Sequence, residues 1–202
     1  SGHTLLVRRH FQVSGSGANT GVVVITQPID SLFTQTRTVL VAGAGGGFDV
    51  IAGLPIALSL LNAGHQVHLA NLTFMPLGAV EGGKKLDEVT VEVHANCRIR
   101  ESYAPEIGLA SWLRSQGMDD AVYCFRKVGA RPLQAAYEML ANMLGLDAVV
   151  LVDGGVDAVL RGDEYSLGTP TFDHLSVAVA SALELPVKVL ACVGMGAERY
   201  DK

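Results

Sequence analysis

The sequence predicts a doubly wound α/β fold, a mostly parallel sheet of about five strands with helices on both faces, and three observations carry that expectation. Five short, largely continuous apolar runs recur along the chain, at Val39–Ala42, Val67–Ala70, Ala121–Phe125, Ala148–Val152 and Val187–Val193, broken only by His68 and Lys188; strands buried on both faces read this way, whereas half-exposed strands alternate. Longer helical segments separate the runs, as strand–helix–strand crossovers require. The 202 residues include 23 glycines, with 49% hydrophobic but only 6% aromatic residues, a small-residue composition that suits tight strand-to-helix turns.

Residues 1–28 differ from the rest and read as a flexible or peripheral segment, with the linker-like Ser14–Gly21 followed by Val22–Ile25 and Pro28. Residues 29–202 read as one α/β domain. After Val39–Ala42 come glycines, then a nearly all-apolar helix over Ile51–Leu61 that Gly64 stops. Pro55 leaves its start open between Asp49 and Gly53, since proline is tolerated only in a first turn. Residues 74–102, with Pro76, Gly78, Gly82, Gly83 and a short alternating run at Val89–Val93, are expected to be an irregular insertion or lid. Helices are predicted over Glu106–Ser115, over Pro132–Leu144 with Gly145 as its stop, and from about Phe172 to Leu183.

Composition excludes some classes of function. No window offers the roughly 18 uninterrupted apolar residues of a membrane helix, and no basic-then-apolar leader opens the chain. With 15 Lys+Arg against 20 Asp+Glu, there is no general attraction for a phosphate backbone, so no nucleic-acid partner is expected. Cys97, Cys124 and Cys192 are odd in number, dispersed and without a CxxC pair, which points to a cytoplasmic protein without disulfides or a zinc knuckle. Cys124 and Cys192, inside apolar runs, are expected to be small buried hydrophobes.

Two loops are expected to carry function, because ligands of open α/β sheets sit beyond the carboxyl ends of the strands where strand order reverses. The first is Gly43-Ala-Gly-Gly-Gly-Phe-Asp49. Glycines let backbone N–H groups approach a ligand and the following helix adds its dipole, so Gly43, Gly45, Gly46, Gly47 and Asp49, with Asn71 beyond the second strand, are candidates to bind a phosphate-bearing ligand. The alternative is a tight turn with Asp49 as helix N-cap. The turn fails the dinucleotide fingerprint, whose third small residue falls on Phe48, and it lacks the Gly-Lys-Ser/Thr of a P-loop.

The second loop follows the fourth run. Asp153, Asp157, Asp163, Glu164 and Asp173 fall within 21 residues and are separated by glycines rather than lysines. Mg²⁺ takes one or two carboxylates plus substrate phosphates and water, so Asp153, Asp157, Asp163 and Glu164 are candidate catalytic acids, and Asp153 and Asp157 candidate Mg²⁺ ligands. Gly154, Gly155 and Thr169 are candidate ligand contacts. Arg161 offers a competing account in which it pairs with one acid and the rest serve turns and caps. Arg126, Lys127 and Arg131 form a compact basic group that is a candidate to balance a phosphate, with a solvated loop as the alternative, and His174 is a candidate base whose commoner place is the surface. No G-x-S-x-G nucleophile elbow is present.

These motifs, Val39–Val50, Gly64–Asn71, Val152–Asp157, Arg161–Glu164 and Leu167–Pro170, resemble the family called domain of unknown function 1152, over roughly Ile29 to Gly196. The resemblance implies a Rossmann-like α/β fold but no activity; members continue past the last glycine-rich segment, which implies a shortened C-terminus here. The leading expectation is therefore a protein that binds a nucleotide or other phosphorylated small molecule, with Mg-dependent hydrolase or transferase chemistry. Two other expectations stand beside it. One is a non-catalytic ligand-binding or assembly module that forms a homo-oligomer through an uncovered sheet edge; the other is an NAD(P)-dependent oxidoreductase, which the failed fingerprint weakens.

Overall fold

The computed structural model describes residues 4–6, 29–161 and 170–193. Its strands in chain order are β1 (Thr4–Leu6), β2 (Thr38–Gly43), β3 (Gln66–Leu72), β4 (Lys84–Lys85), β5 (Thr90–Val93), β6 (Val122–Phe125), β7 (Ala148–Asp153) and β8 (Val187–Cys192). The helices are α1 (Asp49–Ala52), α2 (Leu54–Asn62), α3 (Pro105–Ser115), α4 (Ala130–Leu144) and α5 (Pro170–Ala182). All eight strands form one sheet in the order β1-β8-β7-β2-β3-β6-β5-β4. The five apolar runs are β2, β3, β6, β7 and β8, mutually parallel, and β1 joins parallel to β8 at one margin.

The sheet is wider than the apolar runs imply. Residues 74–102, expected as an irregular lid, instead extend it: β5 pairs antiparallel with β6 and β4 antiparallel with β5. The alternating run at Val89–Val93 supplies β5, a strand with one buried and one polar face. Val91 and Val93 are buried against one face while Glu92 between them holds Lys84 at 3.2 Å and His94 at 2.8 Å. Asp120, paired with His94 and Arg114, ties this margin to the segment entering β6.

Strand side chains alternate between two helical layers. Val39 and Val41 of β2, with Val150 and Val152 of β7, pack with Val50, Ala57, Leu60, Leu109 and Leu113 from α1, α2 and α3. Leu40 and Ala42, with Val149 and Leu151, pack with Leu133, Tyr137 and Leu140 of α4 and Val179 of α5. The segment read as one helix over Ile51–Leu61 is two: α1 ends at Gly53, whose Cα lies so close to Val41 and Val152 that a Cβ there would sit 3.0 Å from each. Gly145 ends α4 as expected. Among the described residues no helix is long and apolar enough to cross a membrane.

The topology fixes where a ligand can sit. From β2 the chain steps to β3 and on to β6, then crosses back to β7 on the other side of β2 and continues to β8. Strand order therefore reverses between β2 and β7, and their carboxyl ends are level, with Gly43 opposite Val152 and also opposite Asn71 of β3.

Candidate functional site

Both loops singled out in the sequence leave this switch point, and one side chain joins them. Ala44 N–H donates to the Val152 carbonyl at 2.8 Å, carrying the ladder one residue past β2. Asp49, the first residue of α1, then turns its carboxylate back toward the sheet. Oδ2 accepts from Gly45 N–H at 2.8 Å and Oδ1 from Gly154 N–H at 3.0 Å, 105 residues away. It does not cap its helix, whose preceding residue Phe48 makes no side-chain cap. Burial pushes the Asp49 carboxyl above its usual range, the N–H groups of Gly154, Gly45 and Gly46 pull it back, and the charge of Asp153 pushes it up again.

The glycines have separate reasons. Gly46 (φ 100) and Gly47 (φ 65) occupy the left-handed region that other residues resist. Gly43 and Gly45 are demanded by space: a Cβ at Gly43 would overlap Asn71 Oδ1, and one at Gly45 would overlap the Asp173 carboxylate. Gly45 N–H, expected to face a ligand, is engaged by Asp49, and Gly46 and Gly47 are buried.

Beneath the turn lies a polar pair with no exposure at all. Asn71 Nδ2 donates to the Gly47 carbonyl at 3.0 Å and to Glu106 Oε1 at 2.8 Å, while Asn71 Oδ1 and Glu106 Oε2 are buried without a partner. Burial raises the Glu106 carboxyl; hydrogen bonds from Thr73 and Asn71 oppose it. Asn71, a predicted ligand contact, thus supports the glycine turn from below.

On the other side, Asp153 is 2% exposed and folds its own loop, Oδ1 accepting from Gly155 N–H and Oδ2 from Ala158 N–H, both at 2.7 Å. Asp157 opens the 3₁₀ turn Asp157–Val159. Asp173, in the first turn of α5, is 3% exposed. Its carboxyl is pushed up to about 7, chiefly by burial and then by the charges of Asp153, Asp49 and Asp157. Ser176, one helical turn on, donates to the Ala44 carbonyl at 2.6 Å and locks α5 to the glycine turn.

Together these residues enclose a cleft of about 320 Å³, lined by Gly45, Gly46, Asp49, Asp153, Gly154, Gly155, Asp157 and Asp173, with Phe48, Ala52 and Phe74 on its rim. The structure therefore brings together Gly45, Gly46, Asp49, Asp153, Gly154, Gly155 and Asp157 of the predicted set. Gly43, Gly47 and Asn71 do not line the cleft. Asp163, Glu164 and Thr169 lie outside the described residues. His174 is exposed, and Cys124 is fully buried. Cys192 is half-buried, its thiol pushed up to about 11 by burial and by Asp153 and Asp173, so it is no ready nucleophile.

Asp173 was counted among the clustered acids but not separated from them, because burial beneath Gly45 is a through-space property. Phe48, Phe74 and Tyr103 carry no sequence signal of a site, whereas Lys127 belongs to the basic group already singled out. Lys127 Nζ sits 3.2 Å above the Phe74 ring and 4.6 Å from that of Phe172. Among the described residues no group of three or more His, Cys, Asp or Glu is arranged to hold a metal ion. Asp49 and Asp153 each accept two backbone N–H groups, one on each oxygen, so a cation here would share the cleft carboxylates with those bonds and draw its remaining oxygens from its own ligand and water.

Comparison with curated protein sequences returns no match. Among solved structures the chain is similar to Acinetobacter baumannii MurG, at 15% identity and a TM-score of 0.39, over 77% of this chain and 35% of that one. The chain thus spans about a third of that structure's length. Over residues 40–199 it matches the model described as protein of unknown function (DUF1152), and it belongs to that family.

Proposed function

We propose that the switch-point cleft binds a nucleotide or other phosphorylated small molecule, with a Mg²⁺-type cation carried between the ligand's phosphates and the cleft carboxylates. The observation that carries this reading is the Asp49 bridge: it holds the exit loops of β2 and β7 at a fixed spacing where ligands of open α/β sheets sit. An acidic cleft repels a bare phosphate, so a cation is part of the reading; Mg²⁺ commonly keeps several waters and uses few protein oxygens. Asp173 supports hydrolase or transferase chemistry, since a carboxyl poised near neutrality can give or take a proton.

The test is calorimetric binding and phosphate release with a panel of nucleoside mono-, di- and triphosphates, with and without Mg²⁺. Metal-dependent binding is expected; no binding of any phosphorylated probe removes the reading. A non-catalytic ligand-binding module is the second reading, favoured by the engagement of both Asp153 oxygens within its own loop. It predicts metal-dependent binding with no product formed.

A further inference from the structure

Phe48, Phe74 and Tyr103 are 61%, 48% and 42% exposed, half of the exposed large hydrophobic residues among those described, and they are neighbours. The chain brings them from three places: the end of the glycine turn, the loop after β3 and the approach to α3. Tyr103 stands edge-on to both phenylalanines, with ring centroids 6.0 Å from Phe48 and 6.4 Å from Phe74. This spacing is typical of an ordered aromatic group.

The shelf is built into the glycine turn. A Cβ at Gly46 would lie 3.0 Å from Phe74 Cε2, and one at Gly47 would lie 3.1 Å from the Tyr103 hydroxyl. Phe48 and Phe74 also line the cleft, so shelf and cleft are continuous. Lys127, with its ammonium on the Phe74 ring, adds a cation at the same margin. Three rings make a contact far smaller than the roughly 800 Å² per partner of a stable protein interface. A planar group of a small ligand matches both the size and the chemistry.

Resting on the proposed phosphorylated ligand, we infer that the Phe48–Tyr103–Phe74 shelf seats a planar heteroaromatic ring of that ligand, so that the cleft selects nucleotides over ring-free phosphorylated compounds. The ring stacks on the exposed phenylalanine faces, while its phosphorylated end points into the adjoining acidic cleft. Lys127 can leave Phe74 to pair with a phosphate oxygen, exchanging a cation–π contact for a charge-assisted one.

The experiment measures Kd for Mg²⁺ with ADP, GDP, CDP and UDP, for Mg²⁺ with pyrophosphate or ribose 5-phosphate, and for the unphosphorylated nucleosides. It is run on the unmodified chain and on Phe48→Ala, Phe48→Trp and Tyr103→Ala; these exposed positions carry little of the core. At least one nucleoside diphosphate is expected to bind ten-fold or more tighter than pyrophosphate and ribose 5-phosphate. Phe48→Ala is expected to erase most of that margin, and Phe48→Trp to keep it. Equal affinity for ring-bearing and ring-free phosphates, or a Phe48→Ala chain within two-fold of the original, overturns the shelf while leaving the phosphate reading standing. Nucleosides that bind in a Phe48-dependent way with no gain from phosphate retain the shelf and overturn the phosphate reading. No ring-bearing probe bound in any form overturns the shelf.

Discussion

Asp49 and Gly154 lie 105 residues apart in the chain, yet the Asp49 carboxylate accepts the Gly154 N–H at 3.0 Å while its second oxygen holds Gly45. Charge-assisted bonds of this kind contribute about 1.5–3 kcal/mol each before the cost of burying the carboxylate. Asp49→Ala is expected to lower unfolding free energy by about 1–3 kcal/mol. Asp49→Asn loses at least one bond, because its amide nitrogen faces a backbone donor. Chemical denaturation measures the energy, and amide exchange at Gly45 and Gly154 locates it; unchanged protection at both would show that the bridge does not join the loops in solution.

Asp173 makes stability depend on pH in an unusual direction. Its carboxyl titrates at about 7 when folded and near 3.8 when unfolded. Below about pH 4 both states hold the proton; between about pH 4 and 7 only the unfolded chain releases it, so stability falls across that window and levels off above it. Asp173→Asn is expected to flatten this fall and to add about 2–4 kcal/mol at pH 8. Carboxyl NMR should place the Asp173 midpoint near neutrality and move it down in Asp153→Asn. An ordinary midpoint in the unmodified chain would remove Asp173 as a proton-carrying candidate.

Glu106 obeys the same sign, its raised carboxyl making the folded state lose stability as pH climbs through the carboxylate range. Glu106→Gln keeps the shape without the buried charge and is expected to be neutral or stabilising at pH 8. Glu106→Ala leaves a cavity and an orphaned Asn71 amide, and is expected to cost about 2–4 kcal/mol. Melting curves at acid and neutral pH separate the two variants; equal losses would mean that the charge itself is required.

Glycine substitutions discriminate space from propensity. Gly45→Ala drives a methyl into the Asp173 carboxylate and is expected to destabilise by at least about 1–3 kcal/mol. Gly108→Ala, on an exposed turn of α3 with nothing within 4 Å, is expected to stabilise by about 0.5–1 kcal/mol. Thermal denaturation reads both, and a tolerated alanine at Gly45 would contradict the packing of α5 against the turn.

Mg²⁺ titrated alone is expected to give no saturable heat, because no three-residue ligand group exists among the described residues and the ligand's phosphates are needed to complete the coordination. Saturable binding of the bare ion, lost in Asp157→Asn, would instead indicate a preformed cation site.

Much of this fold was legible because it is written in uninterrupted apolar runs: Val39–Ala42 and Ala148–Val152 announced neighbouring central strands, and the topology places their loops together. What escaped was written in other signals. Val91 and Val93 alternate with Glu92, a pattern visible in the sequence but too short to say that it joins the main sheet. Asp49 reads locally as a helix cap because its true partner, Gly154, is remote in sequence. Asn71 reads as a rim residue because its strand position was right, but whether its side chain faces solvent or Glu106 depends on α3. The aromatic shelf draws single residues from three separate segments, none forming a motif.

The two-residue strand β4 consists of Lys84 and Lys85, both exposed at the last rung of the sheet. A chain arriving to add a further rung would meet two lysines, paired with Glu92 and Glu88, on a ladder too short to hold it. That margin disfavours edge-to-edge stacking of molecules, and it does so far from the switch point between β2 and β7.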